Sequence, residues 1–401
     1  YFNKSTPLDE TNLDFNSIYQ FVFELQKLSA TEVLRAYGPL PLSILCLFGL
    51  AMWGISQPTK FIGLAPLSLF FILSILLGQR ALFYSVPFFL FGGAYFFNFF
   101  TFKVLDKINI SLKTEYIYFI TTIFLISFLA YSIKPLNKNV SITIIMNDIL
   151  ESFVEIKKIS NNEKKSIIAT EWSYGYQAMF YSDLPTLLDG GSADSPRHYF
   201  MSRAIMAPSL DETYNTLKYI ASGHVEKLNE KGINNFESLA KDVFNSKKSD
   251  VDIYFVLTGL MQDLMHAYAY NAYWDIENNR PIKFNETTAD KLLVMNSLDC
   301  EKLDPVTLIT TCHFEGSDKK EEYDLSKGLV DGEPFLSRVV QVKNNEVTFD
   351  EEYEDSSYNL VFQIINREDE TNVYLMHEAV YNSSYNKLLH LNIKDGFELV
   401  Y

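Results

Sequence analysis

The stretch Ser166-Ile167-Ile168-Ala169-Thr170-Glu171-Trp172-Ser173-Tyr174-Gly175-Tyr176 is a short, largely apolar run closed by an aromatic turn. Paired isoleucines and a threonine suit a strand, and a glycine between two tyrosines suits the turn that ends it. Taken alone, aromatic residues beside a glycine turn are most often core packing. Position gives this stretch its weight: four long apolar runs precede it and an acidic segment follows.

Pro39 to Ser56, Phe61 to Gly78, Ala81 to Phe102 and Tyr116 to Ile133 contain no charged residue. As helices, runs of about 18 to 22 residues reach roughly 27 to 33 Å, the thickness of a bilayer core. The expected fold class is therefore a multi-pass α-helical membrane domain with four spans, followed by a mixed α/β soluble extracytoplasmic domain with a β-rich C-terminal unit. Lys60 lies between the first two runs, and Lys103, Lys107 and Lys113 between the last two. By the positive-inside rule those loops face the cytoplasm and everything after the fourth run faces outward. Expected boundaries are an outward loop with an amphipathic helix at 1–38, four spans at 39–134, the α/β domain at 135–330 and the β-rich unit at 331–401. The expected location is the cell (inner) membrane, with the C-terminal domain periplasmic.

The chain of 401 residues has a net charge of −16, and the charge is unevenly spread. Residues 135–401 hold 43 of its acidic and 25 of its basic residues, a balance of −18. Phosphate would be repelled by such a surface, so nucleic acid is excluded as a partner. The ordinary reading of this acidity is solubility. Cys46 sits in an apolar run, and Cys300 and Cys312 are free to pair in an oxidising compartment or to remain thiols. The chain opens at Tyr1 without a methionine and reads as a piece of a larger protein.

Along the chain, Ile18, Phe21, Val22, Leu25 and Leu28 predict an amphipathic helix over 16–29. Helices are predicted over 140–156, 176–183, 197–207, 210–228, 260–272 and 385–391. Strands are predicted over 164–170, 251–257, 335–342, 358–365, 373–376 and 397–401.

Several residues stand out, each with an ordinary reading beside it. Asp9 and Glu10 are adjacent carboxylates of the kind that usually sit solvated near a membrane. Arg80 between two apolar runs suits a side chain that snorkels to lipid headgroups. Met261 and Leu264 are at helical spacing, as core residues are.

Six segments in order change that weighing. Thr6-Pro7-Leu8-Asp9 is followed by Asn12-Leu13-Asp14; Gly78-Gln79-Arg80 by Tyr84-Ser85-Val86-Pro87; then come Glu171 to Tyr176, Tyr181 to Gly191, Met261-Gln262-Asp263-Leu264, and Tyr381-Asn382-Ser383-Ser384-Tyr385. Together they resemble the C-terminal portion of an oligosaccharyltransferase catalytic subunit of the bacterial single-subunit (PglB-type) family. The resemblance implies Asp9 as the catalytic carboxylate that binds Mg²⁺ or Mn²⁺, hard ions suited to oxygen ligands. It implies Arg80 at the pyrophosphate of a lipid-linked donor, where a planar fork of donors matches the charge. Tyr176 is expected at the same donor pyrophosphate and glycan. It implies Glu171, Trp172, Ser173, Tyr174, Met261 and Leu264 around the acceptor peptide. The family's pattern is Trp-Trp-Asp-Tyr-Gly; here Glu171 replaces the first Trp and Ser173 the Asp, and Asp9 stands where the family has Glu. Serine donates or accepts a hydrogen bond and glutamate accepts one, so a hydroxyl-binding pocket remains chemically available.

The function this implies is transfer of an oligosaccharide from a polyprenyl-pyrophosphate carrier to the asparagine of an Asn-x-Ser/Thr sequon in an acceptor polypeptide, at a membrane lipid surface. The fragment alone is expected to be inactive, because upstream loops supply further carboxylates in the family. The rival from another class is a degenerate, non-catalytic membrane-anchored peptide-binding or assembly subunit. A polyprenyl-dependent sugar transferase without peptide specificity fits Arg80 but explains the Trp172 region poorly.

Overall fold

Ile167 and Ile168 lie within a five-residue strand, β1 (Lys165–Ala169), that pairs in parallel with β2 (Val251–Phe255). The computed structural model describes residues 13–16, 29–36, 40–77, 80–107, 116, 119, 122–123, 147–160, 165–192, 195–245, 250–281, 295–314, 317–354, 356, 358–367, 370–394 and 396–398. It divides into two compact units, Tyr1–Ile18 with Ile145–Tyr401, and Tyr19–Ile144.

The Tyr19–Ile144 unit holds α1 (Ala30–Ala36), α2 (Leu40–Ser56), α3 (Pro58–Leu77) and α4 (Arg80–Lys107). Glycines let α2 and α4 touch backbone to backbone: a Cβ on Gly92 would lie 2.3 Å from the Cys46 carbonyl oxygen, and one on Gly49 1.9 Å from that of Gly92. Trp53, Phe61, Phe88 and Phe91 pack edge-on or tilted beside that contact.

The expected four-span fold class is corrected here. Among the described residues, no helix is long and apolar enough to cross a membrane. An apolar run counted along the chain does not measure the helix that forms on it. The first run yields a helix of 17 residues, about 26 Å at 1.5 Å per residue and short of a bilayer core. The second helix starts with Pro58, Thr59 and Lys60 and carries Pro66 inside. α4 is longer, but its uncharged stretch is broken by Pro87 and diluted by the polar Tyr84, Ser85, Tyr95 and Asn98, before Lys103, Asp106 and Lys107 enter its last turns. Most of the fourth run, and the amphipathic helix expected over 16–29, lie outside the described residues.

The other unit is built from α5 (Asn147–Ile159), α6 (Gly175–Ser182), α7 (Arg197–Met206), α8 (Leu210–Ala221), α9 (Phe236–Asn245) and α10 (Met265–Ala272), with short helices α11 (Glu378–Tyr381) and α12 (Ser384–Leu389). α8 stops well before the expected Leu228: Gly223 takes a φ of 69°, a left-handed conformation open to glycine and costly for other residues. α9 went unpredicted although Phe236, Leu239, Ala240, Val243 and Phe244 follow helical spacing. Of the predicted strand 397–401, Phe397 and Glu398 have no strand geometry and the rest falls outside the described residues.

Beyond β3 (Trp274–Asp275) and β4 (Arg280–Pro281), a two-stranded ribbon, nine strands make one sheet. They are β5 (Asn296–Cys300), β6 (Ile309–Phe314), β7 (Lys320–Asp324), β8 (Leu329–Val330), β9 (Glu333–Pro334), β10 (Leu336–Lys343), β11 (Glu346–Glu352), β12 (Leu360–Asn366) and β13 (Thr371–His377). Their order is β11-β10-β12-β13-β5-β6-β7-β8-β9, with β10 and β12 parallel and every other pairing antiparallel. Side chains alternate along β12. Val361 and Ile365 join the helical core, while Leu360, Phe362 and Ile364 join a second core on the other face. A strand buried on both faces reads as a continuous apolar run, which is why β12 was visible in the sequence. β11 is mostly exposed, with four acidic residues along the sheet edge, and gave no such signal.

Candidate functional site

Adjacent parallel strands deliver their following loops to the same end of the sheet, where open α/β folds place ligands. The register runs from Lys165 opposite Val251 to Ala169 opposite Phe255, and the Val256 amide then donates to the Ala169 carbonyl at 2.8 Å. β1 therefore leads into the 3-10 turn Trp172–Tyr174, and β2 into the 3-10 turn Gly259–Leu264. Residues 171–176 and the pair Met261 and Leu264, nearly ninety positions apart in sequence, are brought to one place by this pairing. Trp172 and Leu264, both half-buried, pack against the same core cluster that contains Met261.

Glu171 caps the first turn. Its Oε2 accepts from the Ser173 amide at 3.0 Å and from the Ser173 hydroxyl. The side chain is almost completely buried, whereas Ser173 is exposed. Burial pushes the Glu171 carboxyl up to about 7, against the smaller opposing pull of the Ser173 hydrogen bonds. Among the described residues, its second oxygen, Oε1, has no hydrogen-bond partner. Phenols surround the carboxyl. Tyr174 from the same turn and Tyr268 from α10 are buried, and both ionise less readily than free tyrosine, first through burial and then through the Glu171 charge. Among the described residues the Tyr268 hydroxyl also lacks a partner. Nothing in the sequence pointed to Tyr268; its proximity depends on where α10 packs.

Gly175 is where the turn meets the 185–189 segment. A Cβ there would lie 2.3 Å from the Leu188 carbonyl oxygen and 2.6 Å from the Asp189 Cα. Tyr176 is exposed and lies over the turn Gly190-Gly191: a Cβ on Gly190 would come within 2.9 Å of the ring and one on Gly191 within 3.3 Å of the hydroxyl. Small residues in that turn leave the phenol ring a flat seat. Near Asp189 and Ser192, which flank that turn, His198 is buried and held down to about 4 by the loss of solvent.

Met261 is fully buried, and its sulfur receives the Thr258 amide at 3.4 Å. Of the expected acceptor-contacting pair, Leu264 is the one with surface to offer. Asp9 lies outside the described residues, and Arg80 opens α4 in the other unit. A fastening that sequence reasoning missed begins four residues after Asp9. Leu13 is buried in the main core, the Asp14 amide donates to the Ile276 carbonyl at 2.8 Å, and the Trp274 indole donates to the Asp14 carbonyl at 3.1 Å. The Asn16 amide group donates to the Asn271 side-chain oxygen at 2.7 Å, and Phe15 lies against Tyr199 and Phe200.

Among the described residues, no three His, Cys, Asp or Glu side chains are grouped so as to hold a metal ion. Glu171 does not suit one: it is buried, committed to Ser173, and biased toward its neutral form. The described part of the chain does not by itself fit Mg²⁺ or Mn²⁺. Cys300 and Cys312, opposite one another on β5 and β6, form a disulfide.

Residues 164–278 match the STT3/PglB/AglB core domain. Over 208 residues the chain is 25% identical to an undecaprenyl-diphosphooligosaccharide–protein glycotransferase of Campylobacter jejuni, the match covering 51% of this chain and 26% of the relative. The protein of the same name from a second strain of C. jejuni, serotype O:2, is 25% identical over 205 residues, covering 50% and 26%. The chain thus spans about a quarter of the length of these relatives. The crystal structure of the C-terminal domain of C. jejuni PglB superposes with a TM-score of 0.42 at 16% identity, covering 63% of this chain and 94% of that one.

Proposed function

We propose, on the premise that this chain carries the STT3/PglB/AglB core domain and represents the C-terminal portion of a PglB-type oligosaccharyltransferase, that it serves protein N-glycosylation by binding the acceptor peptide. The reaction is transfer of an oligosaccharide from a polyprenyl-pyrophosphate carrier to the asparagine of Asn-x-Ser/Thr, carried out by a longer enzyme of which this chain is a part. The observation that carries the reading is the exposed Ser173 hydroxyl, held by the buried Glu171 at the shared end of β1 and β2 beside Trp172 and Leu264. Such a surface offers one polar group among apolar neighbours, which suits the β-hydroxyl and methyl of a threonine two positions after the acceptor asparagine.

Asp9 is proposed as a ligand for a divalent metal, with its companion carboxylates supplied from elsewhere in the longer enzyme; when bound, that metal would offset charge on the departing pyrophosphate. Arg80 is proposed at the donor pyrophosphate and Tyr176, over its glycine turn, at the donor glycan. The Cys300–Cys312 disulfide supports an extracytoplasmic, oxidising location for this unit.

The test uses the full-length protein in a host that supplies a lipid-linked oligosaccharide and a reporter with one Asn-x-Thr. A glycan-dependent mass shift on that asparagine, lost in Asp9→Ala, is the expected result. Absence of any shift with donor present and protein folded would leave a non-catalytic peptide-binding subunit as the better reading, one that the replacements at Asp9, Glu171 and Ser173 already favour.

A further inference from the structure

We propose that Glu171 is a positioning residue for acceptor recognition: its buried carboxyl accepts the hydrogen bond donated by the Ser173 hydroxyl, so that Ser173 presents its lone pairs outward to accept a hydrogen bond from the acceptor side-chain hydroxyl. This inference rests on the reading of the site as an acceptor-peptide site, and it assigns to Glu171 a role that does not require contact with the peptide. Three observations carry it. Both groups that Ser173 can donate, its amide and its hydroxyl, go to the same oxygen of Glu171, which fixes the direction of the serine proton. Ser173 is exposed while the carboxyl behind it is sealed from solvent, so a ligand can reach only the serine end of the pair. Among the described residues, the second carboxyl oxygen is buried without a partner, and so is the Tyr268 hydroxyl. An unpaired buried carboxyl is costly, and core packing alone gives no reason to keep one.

With the ligand bound, the hydrogen bonds run in one direction, from the acceptor hydroxyl to Ser173 Oγ and from Ser173 Oγ to Glu171 Oε2. Each bond polarises the next, and the chain is strongest when the carboxyl is ionised. The groups facing the carboxyl are Ser173 and Tyr174 from its own turn and Tyr268 from α10, with Tyr385 of α12 adjacent to Tyr268. All three phenols are shifted toward their neutral forms, so none of them changes charge near neutral pH. Glu171, raised to about 7, is then the group among these whose ionisation falls in that range. Recognition of a hydroxyl should therefore strengthen as pH rises through about 7.

The experiment measures binding of fluorescent Asn-x-Thr and Asn-x-Ala peptides to the full-length protein between pH 5.5 and 8.5. Wild type is compared with Glu171→Gln, Ser173→Ala and the double variant. Wild type should prefer threonine over alanine by on the order of tenfold at pH 8.5 and less at pH 5.5. Glu171→Gln should lose most of that preference and its pH dependence, and the double variant should lose no more than Ser173→Ala alone, because the two residues act as one unit. A Glu171→Gln preference that keeps the wild-type pH profile, or losses that add, would overturn the positioning role while leaving the acceptor site standing. Equal binding of both peptides to wild type at every pH would overturn the acceptor reading itself. Should Glu171→Gln not fold, Ser173→Ala at its exposed position decides: a threonine preference still rising with pH in that variant overturns the proposal, and a flat one upholds it.

Discussion

At Glu171 and Gly175 a change of a single atom has a consequence that can be measured. The folded carboxyl of Glu171 titrates near 7, above its unfolded value of about 4.5. Below 4.5 both states are protonated and the residue costs nothing. Between 4.5 and 7 the unfolded chain ionises first, so stability falls as pH rises, and above 7 the penalty is complete, on the order of 3 kcal/mol. Glu171→Gln should therefore melt above wild type at pH 8 and alongside it at pH 4.5, a comparison that circular dichroism makes directly. His198 and His390, buried and each lowered to about 4, act in the opposite sense by losing stability as pH falls from 6.5 toward 4. They are unchanged in the variant, so the difference isolates Glu171. Gly175→Ala is expected to cost about 1 to 3 kcal/mol, read from the denaturant midpoint, because its methyl meets backbone at 2.3 Å that cannot swing aside.

Helix contacts and the short fastening after Asp9 carry the next tests. α2 and α4 meet through Gly49 and Gly92, so Gly92→Leu should force them apart. Cys46 is buried at that contact and unpaired, which makes it the reporter: maleimide should label it slowly in wild type and much faster in Gly92→Leu. The segment 13–16 is held by Trp274, Asn271 and the Ile276 carbonyl. Trp274→Phe removes the indole donor while keeping most of the ring's packing. The Asp14 amide should then exchange with solvent roughly fivefold faster, since one hydrogen bond is worth about 1 kcal/mol. No change in exchange would mean that Leu13 burial alone holds the segment.

Across the molecule, the β-sheet depends on a core split over two faces and on one covalent link. The disulfide closes a short loop between β5 and β6, and loops of that size contribute about 3 kcal/mol by restricting the unfolded chain. Cys300→Ser and reduction of wild type should lower the melting temperature by similar amounts. The second core, with Leu298, Cys312 and Phe362, should loosen before the helical one. The triplet Asn382-Ser383-Ser384 offers a further check: both serines are fully buried, with Ser384 bonded to the Ala207 carbonyl at 2.9 Å, so Asn382 is not expected to be glycosylated in the folded chain.

Much of the site's composition was legible along the chain, because aromatic residues, glycine and a β-branched run are local signals. The strands at 165–169, 251–255, 336–343 and 360–366 follow from runs of apolar side chains that have to leave water. The family likeness came from ordered short motifs, which also depend only on sequence. Span length did not follow in the same way, since helix ends depend on glycines, prolines and the charges that fold into the last turns. What required the folded chain was adjacency across long separations. The parallel pairing of β1 and β2 joins residue 171 to residue 261, α10 brings Tyr268 behind the Glu171 carboxyl, and Trp274 fastens Asp14. The inward turn of Glu171 was likewise invisible in its neighbours. A carboxylate is exposed by default, and burial against tertiary partners supplied by distant segments is what turns this one toward Ser173 and raises it to about 7.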